Sequence, residues 1–286
     1  MPGQSFSDPN SALSRRPRLR LGAAAPAWIG LYALLLAAWA ALWAMDPGAG
    51  LPRGAGFGAL ADLCLTAARD ASLPGLWAMW AVMGAAMMLP TALPALRDYA
   101  RIAETAASRG AERAPWLALL GLAGGYLAVW WSFALLAAAA QARLSAAGWL
   151  GLDGTSTAPL LTAALLLGAG AWQFSHLKAL SLGRCRQPFM TFLAGWRPGF
   201  RPAFATGLRL GIDCLGCCWA LMGLAFVGGM SNLLWMGAAT LIMALEKLPE
   251  IGRPLTRPLG LALIGAGVFT ASLELLPLVL PLAGGA

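Results

Sequence analysis

A run of 32 consecutive uncharged residues, from Cys214 to Leu245, constrains this chain more than any other feature of its sequence. A helix of about 20 apolar residues crosses the roughly 30 Å hydrocarbon core of a bilayer, so such a run fits a membrane. Only 11% of the 286 residues are charged, against roughly 25% in a soluble domain. Gly, Ala and Trp are abundant, which is typical of packed membrane helices rather than of a barrel of strands. We therefore expect an all-α, polytopic bundle of transmembrane helices.

About seven spans are expected. Gly228 to Asn232 favour a turn that divides the long uncharged run between two of them. Pro90 and Pro94 are expected to bend or end the second span. The polar, Arg-rich residues 1–25 are expected to form a disordered cytoplasmic tail, and residues 26–286 a single transmembrane domain. The expected spans are about 26–45, 73–96, 115–140, 157–177, 203–227, 232–248 and 258–280.

The basic residues predict the orientation of the bundle. Cytoplasmic loops collect Lys and Arg, and with seven spans all but three of the 20 Lys and Arg residues fall on one side. Arg53, Arg69 and Arg143 fall on the other side. We expect a multi-pass protein of the bacterial cytoplasmic (inner) membrane, with a cytoplasmic N-terminus and an external C-terminus. The net charge of +8 lies in short segments between apolar runs, and no nucleic-acid-binding module is recognisable, so the expected partner is the lipid bilayer rather than nucleic acid.

Three cysteines within five residues, Cys214, Cys217 and Cys218, are the most informative chemical feature. At 100° per residue, these thiols and the thioether of Met222 share one face of a helix. Cu(I) prefers thiolate and thioether ligands, whereas Zn(II) favours a closed tetrahedral set. A single cysteine is commonly a small buried hydrophobe. Three of the five cysteines of the chain on one face favour a soft-metal site.

Other side chains are secondary candidates for metal binding. Met83 and Met87 lie four residues apart in a methionine stripe of the second span, which could equally serve packing. Cys185 lies in a short basic loop, where positive charge favours its thiolate. His176, the only histidine, lies near the end of the fourth span, where polar groups usually face the bundle interior. Each could add a ligand to a site on the fifth span.

Charged residues near the apolar segments have simpler explanations. Glu246 and Lys247 close the sixth span, where an interfacial ion pair or a snorkelling anchor is the simplest role. Arg209 and Asp213 are one helical turn apart and are expected to neutralise each other. Glu274 lies deeper in the last span without an evident local partner, and an isolated intramembrane acid is a functional candidate.

No catalytic motif accompanies these residues, neither a phosphate-binding glycine loop nor H-E-x-x-H. We therefore expect a binding protein rather than an enzyme. It would hold a soft metal, Cu(I), for metal handling or metalloprotein assembly, and would exchange it with a metal donor or acceptor protein. Two alternatives stay open. Cys214 and Cys217 form a C-x-x-C pair that could exchange thiol and disulfide, or the cysteines could merely pack in a structural subunit of a membrane complex.

Three blocks of the sequence resemble a family of integral membrane proteins that is predicted to bind metal and is catalogued as a domain of unknown function. Copper is the metal suggested for that family. The resemblance covers about residues 73–267 and implies metal binding without implying a reaction. The blocks are Met87-Met88-Leu89-Pro90, then Cys214-Leu215-Gly216-Cys217-Cys218-Trp219-Ala220-Leu221-Met222, then Glu246-Lys247.

The chain also departs from that family's pattern. After Gln173 and Lys178 the family shows two cysteines four residues apart, whereas here Ser181 takes the first position and Cys185 alone occupies the second. A histidine of the family pattern is replaced by Leu210. The resemblance therefore concentrates the expected metal site on the fifth span.

Overall fold

The computed structural model describes residues 23–45, 72–151, 153–230 and 232–283. Within these ranges the chain is helical, and its one β-type pairing is an isolated bridge between Leu150 and Ser156. The expected all-helical class is thus confirmed, while most of the expected tail, residues 1–22, lies outside the described residues. The helices are α1 (Ala25–Met45), α2 (Leu73–Ser108), α3 (Pro115–Ala146), α4 (Pro159–Trp172), α5 (His176–Arg186), α6 (Pro188–Gly195), α7 (Phe200–Gly223), α8 (Ala225–Gly228), α9 (Leu233–Lys247) and α10 (Pro249–Ala283).

In the described part of the chain, five stretches of helix are long and apolar enough to cross a membrane: α1, α2, α3, the α7–α8 stretch and α10. Helices α4 and α5 are long and apolar enough to cross a membrane only when they are taken together as one span. The two helices are bent by 62° at the break between them. Helix α9 has 15 residues, which is fewer than the roughly 20 that a straight span needs. The described residues therefore contain five candidate spans, or six with the bent pair, where the sequence predicts about seven.

Helix α2 continues through Pro90 and Pro94 as far as Ser108, so the helix does not end at these prolines. Proline lacks the N–H that would bond to the carbonyl four residues earlier, which for Pro90 is the carbonyl of Ala86. The indole Nε1 of Trp39 in α1 donates to that carbonyl at 2.9 Å. A neighbouring helix therefore satisfies the freed carbonyl, which is how apolar helices tolerate an internal proline.

The break between α4 and α5 divides the span expected at 157–177. The Oγ of Ser175 accepts a hydrogen bond from the backbone N–H of Lys178 at 3.1 Å, so Ser175 is the N-cap of α5. Beyond the bend, α5 packs against α7. The break consequently brings Cys185, which lies near the end of α5, beside the cysteine-rich helix.

Helices α3 and α7 form the most extensive helix pair in the described part of the fold. Their backbones approach at glycines, since a Cβ on Gly207 would meet the carbonyl of Leu122 and lie 3.0 Å from the backbone N of Tyr126. Gly125 is enclosed in the same way by the backbone of α7. Small residues allow such close packing of apolar helices. The approach sets Tyr126 directly opposite Cys214.

Candidate metal centre

The thiols of Cys214, Cys217 and Cys218 meet on the buried face of α7, and each residue is only 1% exposed. Their Sγ atoms all lie within 4.8 Å of one another, with 3.1 Å between Cys217 and Cys218. Three thiolates that share one ion at a bond length of about 2.3 Å, that of zinc–thiolate bonds, lie roughly 4 Å apart. Small side-chain rotations would therefore let these three sulfurs bind one ion.

The sulfur of Cys214 is contacted by two polar groups from other helices. The hydroxyl of Tyr126 in α3 lies 3.0 Å from this Sγ and also 3.0 Å from the carbonyl of Met88. The Nζ of Lys247 in α9 lies 3.1 Å from the same Sγ and donates to the Oγ1 of Thr91 at 2.6 Å. A phenol and an ammonium can both donate to a negatively charged sulfur. They can therefore compensate the charge that a metal-bound thiolate carries.

Cys217 connects this buried group to a fourth thiol. Its Sγ donates to the backbone carbonyl of Cys214 at 3.1 Å and lies 4.0 Å from the Sγ of Cys185. Cys185 is half-buried and belongs to helix α5, rather than to a loop as expected from the sequence. The structure thus brings one of the secondary candidates into contact with the three thiols of α7.

Glu246 and Lys247 are not a simple interfacial pair, because their side chains contact different helices. The Nζ of Lys178 in α5 lies 2.7 Å from Glu246 Oε2, and both side chains are 1% exposed. The backbone carbonyl of Glu246 accepts two hydrogen bonds from Arg186, at 3.0 Å from Nε and 2.8 Å from Nη2. Lys247, one residue later, reaches Cys214. The end of α9 is therefore bound to α5 by one residue and to the thiols by the next.

The expected pairing of Arg209 with Asp213 does not occur. Asp213 instead accepts a hydrogen bond from Arg184 of α5 at 3.1 Å, with the two side chains 18% and 65% exposed. A pair this exposed adds little to stability, but it is a further polar contact between α5 and α7. Glu274 is an exposed side chain on α10.

The remaining expected ligands do not share in the hydrogen bonds of the thiols. Met222, Met83 and Met87 are buried in the same core, but it is the backbone of Met88 that enters the network around Cys214. His176 is the first residue of α5 and is exposed. It thus does not face the bundle interior, as its position in the sequence predicts, because the chain bends before it.

Sequence reasoning missed three residues of this region: Tyr126, Thr91 and Lys178. Tyr126 carried a usable signal, since it is one of only three tyrosines and a hydroxyl within an apolar helix needs a partner. Thr91 hydrogen-bonds within its own helix, so its second contact, with Lys247, has no local signature. From the sequence alone, Lys178 resembles a lysine at the membrane surface. Only the structure reveals its contact with Glu246.

Comparison with known proteins connects this geometry to a family. The sequence profile of a family described as "PpoB2: Copper chaperone" matches residues 77–270. The matched range contains the thiols of α7, Cys185 and Lys247. No curated protein matches the chain, and no solved structure matches it. Because the profile covers more than half of the 286 residues, the chain belongs to the PpoB2 family of copper chaperones.

Proposed function

We propose that this protein is a membrane-embedded copper chaperone, which holds Cu(I) as cargo on Cys214, Cys217 and Cys218 and exchanges it with a partner protein. The observation that carries the proposal is the meeting of three buried thiols within 4.8 Å, in a chain that belongs to a copper chaperone family. Thiolates are soft ligands that suit Cu(I). Met222, four residues after Cys218 on the same helical face, is the proposed additional ligand.

Two observations support insertion into a membrane. Among the described residues, five helical stretches are long and apolar enough to span one, and large apolar side chains such as Leu136, Leu234 and Leu261 are exposed on the outer surface. An extensive exposed apolar surface is unfavourable in water and favourable in lipid. The basic residues of α5 support a cytoplasmic position for that helix, by the positive-inside rule. We place the protein in the bacterial inner membrane with its N-terminus inside.

The residues around the thiols support copper binding through charge. Binding requires deprotonated thiols, so three thiolates and one Cu(I) would leave a site with two negative charges. An uncompensated charge in an apolar interior is costly. Lys247, with its Nζ 3.1 Å from Cys214 Sγ, offsets one of these charges. The hydroxyl of Tyr126, 3.0 Å from the same sulfur, can donate to a thiolate there once its proton turns away from the Met88 carbonyl. Met83 and Met87 stay candidates for a sulfur-lined path along α2.

The test is a measurement of bound copper. The full-length protein is purified anaerobically, supplied with Cu(I), separated from free metal and analysed for copper per chain. We expect about one equivalent in the wild type and in Cys64→Ser, the matched control that removes a cysteine of the sequence other than the three of α7. The variant with serine at 214, 217 and 218 should bind none.

The alternatives predict different results. Thiol–disulfide exchange predicts a wild-type protein without copper, in which a disulfide between Cys214 and Cys217 forms and is reduced by added dithiol. A structural role predicts a folded protein that binds no copper and whose three thiols stay reduced. Either result would overturn the proposal.

A further inference from the structure

We infer that Cys185 is the exchange ligand of this site, through which Cu(I) reaches and leaves the buried thiols by way of Cys217. The inference rests on the proposed copper site on α7 and assigns a distinct role to the thiol on α5. Cys185 would hold copper during transfer and release it once the buried site is filled or emptied.

Exposure and spacing single out this thiol. Among the cysteines of the described ranges, Cys185 is half-buried, whereas Cys214, Cys217 and Cys218 are fully buried. Its Sγ lies 4.0 Å from that of Cys217, about the separation of two sulfurs that share a metal ion. Cys217 in turn lies 3.1 Å from Cys218. The sulfurs therefore form a continuous series from a half-exposed position to the buried centre.

The residues on either side of Cys185 fix its position. Arg184 hydrogen-bonds to Asp213 of α7 at 3.1 Å, and Arg186 donates twice to the carbonyl of Glu246 at the end of α9. The contact between Cys185 and Cys217 is thus held from two directions. Arg184 is paired with a carboxylate, but Arg186 is bonded to a neutral carbonyl, so its positive charge beside the half-buried thiol favours the approach of an anionic copper complex.

The transfer conserves atoms, protons and oxidation state. A carrier that presents Cu(I) on thiolates approaches Cys185, whose thiol loses its proton as a Cu–S bond forms and a Cu–S bond to the carrier breaks. The departing carrier thiolate takes up a proton. In the next step a Cu–S bond to Cys217 forms, with loss of that thiol's proton, and the bond to Cys185 breaks, with uptake of one. The carrier's remaining thiolate is exchanged for Cys218 in the same way, and Cys214 then adds its own Cu–S bond with loss of one proton to solvent. Copper stays Cu(I) throughout, and release follows the same steps in reverse. The partner is therefore a thiolate-bearing copper carrier whose own site is exposed.

The experiment compares the amount of bound copper with its rate of transfer. Full-length protein in lipid nanodiscs is filled anaerobically with Cu(I), and release to bathocuproine disulfonate, a water-soluble Cu(I) chelator, is followed by absorbance. Cys185→Ser should hold as much copper as the wild type but release it at least about tenfold more slowly, a barrier increase of about 1.4 kcal/mol. Ser181→Ala, one turn earlier on α5 and without loss of a thiol, should release copper at the wild-type rate.

Three other outcomes would contradict either the inference or the proposed function. A wild-type release rate in Cys185→Ser would overturn the inference, because copper would then leave by another path. Loss of copper from Cys185→Ser, as complete as from Cys214→Ser, would also overturn it, because Cys185 would then be a permanent ligand. A wild type that binds no copper would instead overturn the proposed function on which the inference rests.

Chemical modification of Cys185 in the folded protein tests the inference without depending on the folding of the Cys185→Ser variant. In the Cys64→Ser background, the folded, copper-filled protein is treated with N-ethylmaleimide until mass spectrometry shows a single adduct on Cys185. Release to the chelator should again slow by about tenfold or more. Unchanged release after complete modification would contradict the inference.

Discussion

The Nζ of Lys247 lies 3.1 Å from the Sγ of Cys214, so the last residue of α9 places a positive charge beside the first thiol of the α7 cluster. We expect Lys247→Met to weaken Cu(I) binding by roughly 10- to 100-fold, the usual cost of removing a group that supports a metal ligand. Competition with a Cu(I) chelator measures this affinity. Lys247→Arg keeps the charge and should retain most of the affinity; an equal loss in both variants would attribute the effect to packing.

Tyr126 supplies the second polar contact of Cys214. Tyr126→Phe keeps the ring and removes the hydroxyl, while the carbonyl of Met88 still accepts from Thr91 at 2.9 Å. We expect a loss of about 1 kcal/mol in copper binding, the value of an ordinary buried hydrogen bond, measured by the same competition. Tyr99→Phe, at a buried tyrosine that packs edge-on against Phe192, is the control and should leave the affinity unchanged.

The buried pair of Lys178 and Glu246 gives a prediction about folding. Lys178→Met leaves the Glu246 carboxylate buried without its partner, which we expect to cost about 3–5 kcal/mol of stability. The double variant Lys178→Met/Glu246→Gln removes both charges and should recover most of that loss. To rank the stabilities of the three proteins, each is heated and the fraction that aggregates is measured by size-exclusion chromatography. A single variant as stable as the wild type would show that the pair does not hold α5 against α9.

Two adjacent glycines on α3 test the close approach to α7. A Cβ on Gly125 would meet the backbone of Phe204 and lie 2.8 Å from the backbone N of Leu208, whereas a Cβ on Gly124 would lie 3.8 Å from the ring of Phe204. We expect Gly125→Ala to destabilise the protein by about 1–3 kcal/mol through overpacking. Gly124→Ala should be neutral or stabilising by up to about 1 kcal/mol, since alanine favours the helix. Unfolding temperatures in detergent distinguish the two.

The helices of this fold could largely be predicted, because long apolar runs specify helix and length without knowledge of the neighbours. The start of α3 at Pro115 matches the expected boundary. The structure differs from the prediction where a helix is bent, or is kept continuous by a contact with a residue distant in the sequence. Trp39 satisfies the carbonyl that Pro90 leaves free, and the chain bends at residues 173–175, where the sequence pattern reads as one continuous apolar segment.

The candidate site likewise has one part that could be predicted from the sequence and another that could not. Cys214, Cys217 and Cys218 could be placed together because the helical period alone sets their common face. Lys247 and Tyr126 lie 33 and 88 residues from Cys214 in the chain, so their contacts depend on packing between helices, which no local pattern encodes. The link from Cys217 to Cys185 depends likewise on the bend before α5.

The position of Lys247 in the chain also has a consequence for biosynthesis. The three thiols of α7 leave the ribosome together, and Tyr126 and Cys185 precede them, but the lysine that faces Cys214 is translated 33 residues after that cysteine. A nascent chain that ends before α9 carries the sulfurs without their cation. The complete set of contacts around Cys214 is thus a property of the chain only once it has been synthesised past residue 247.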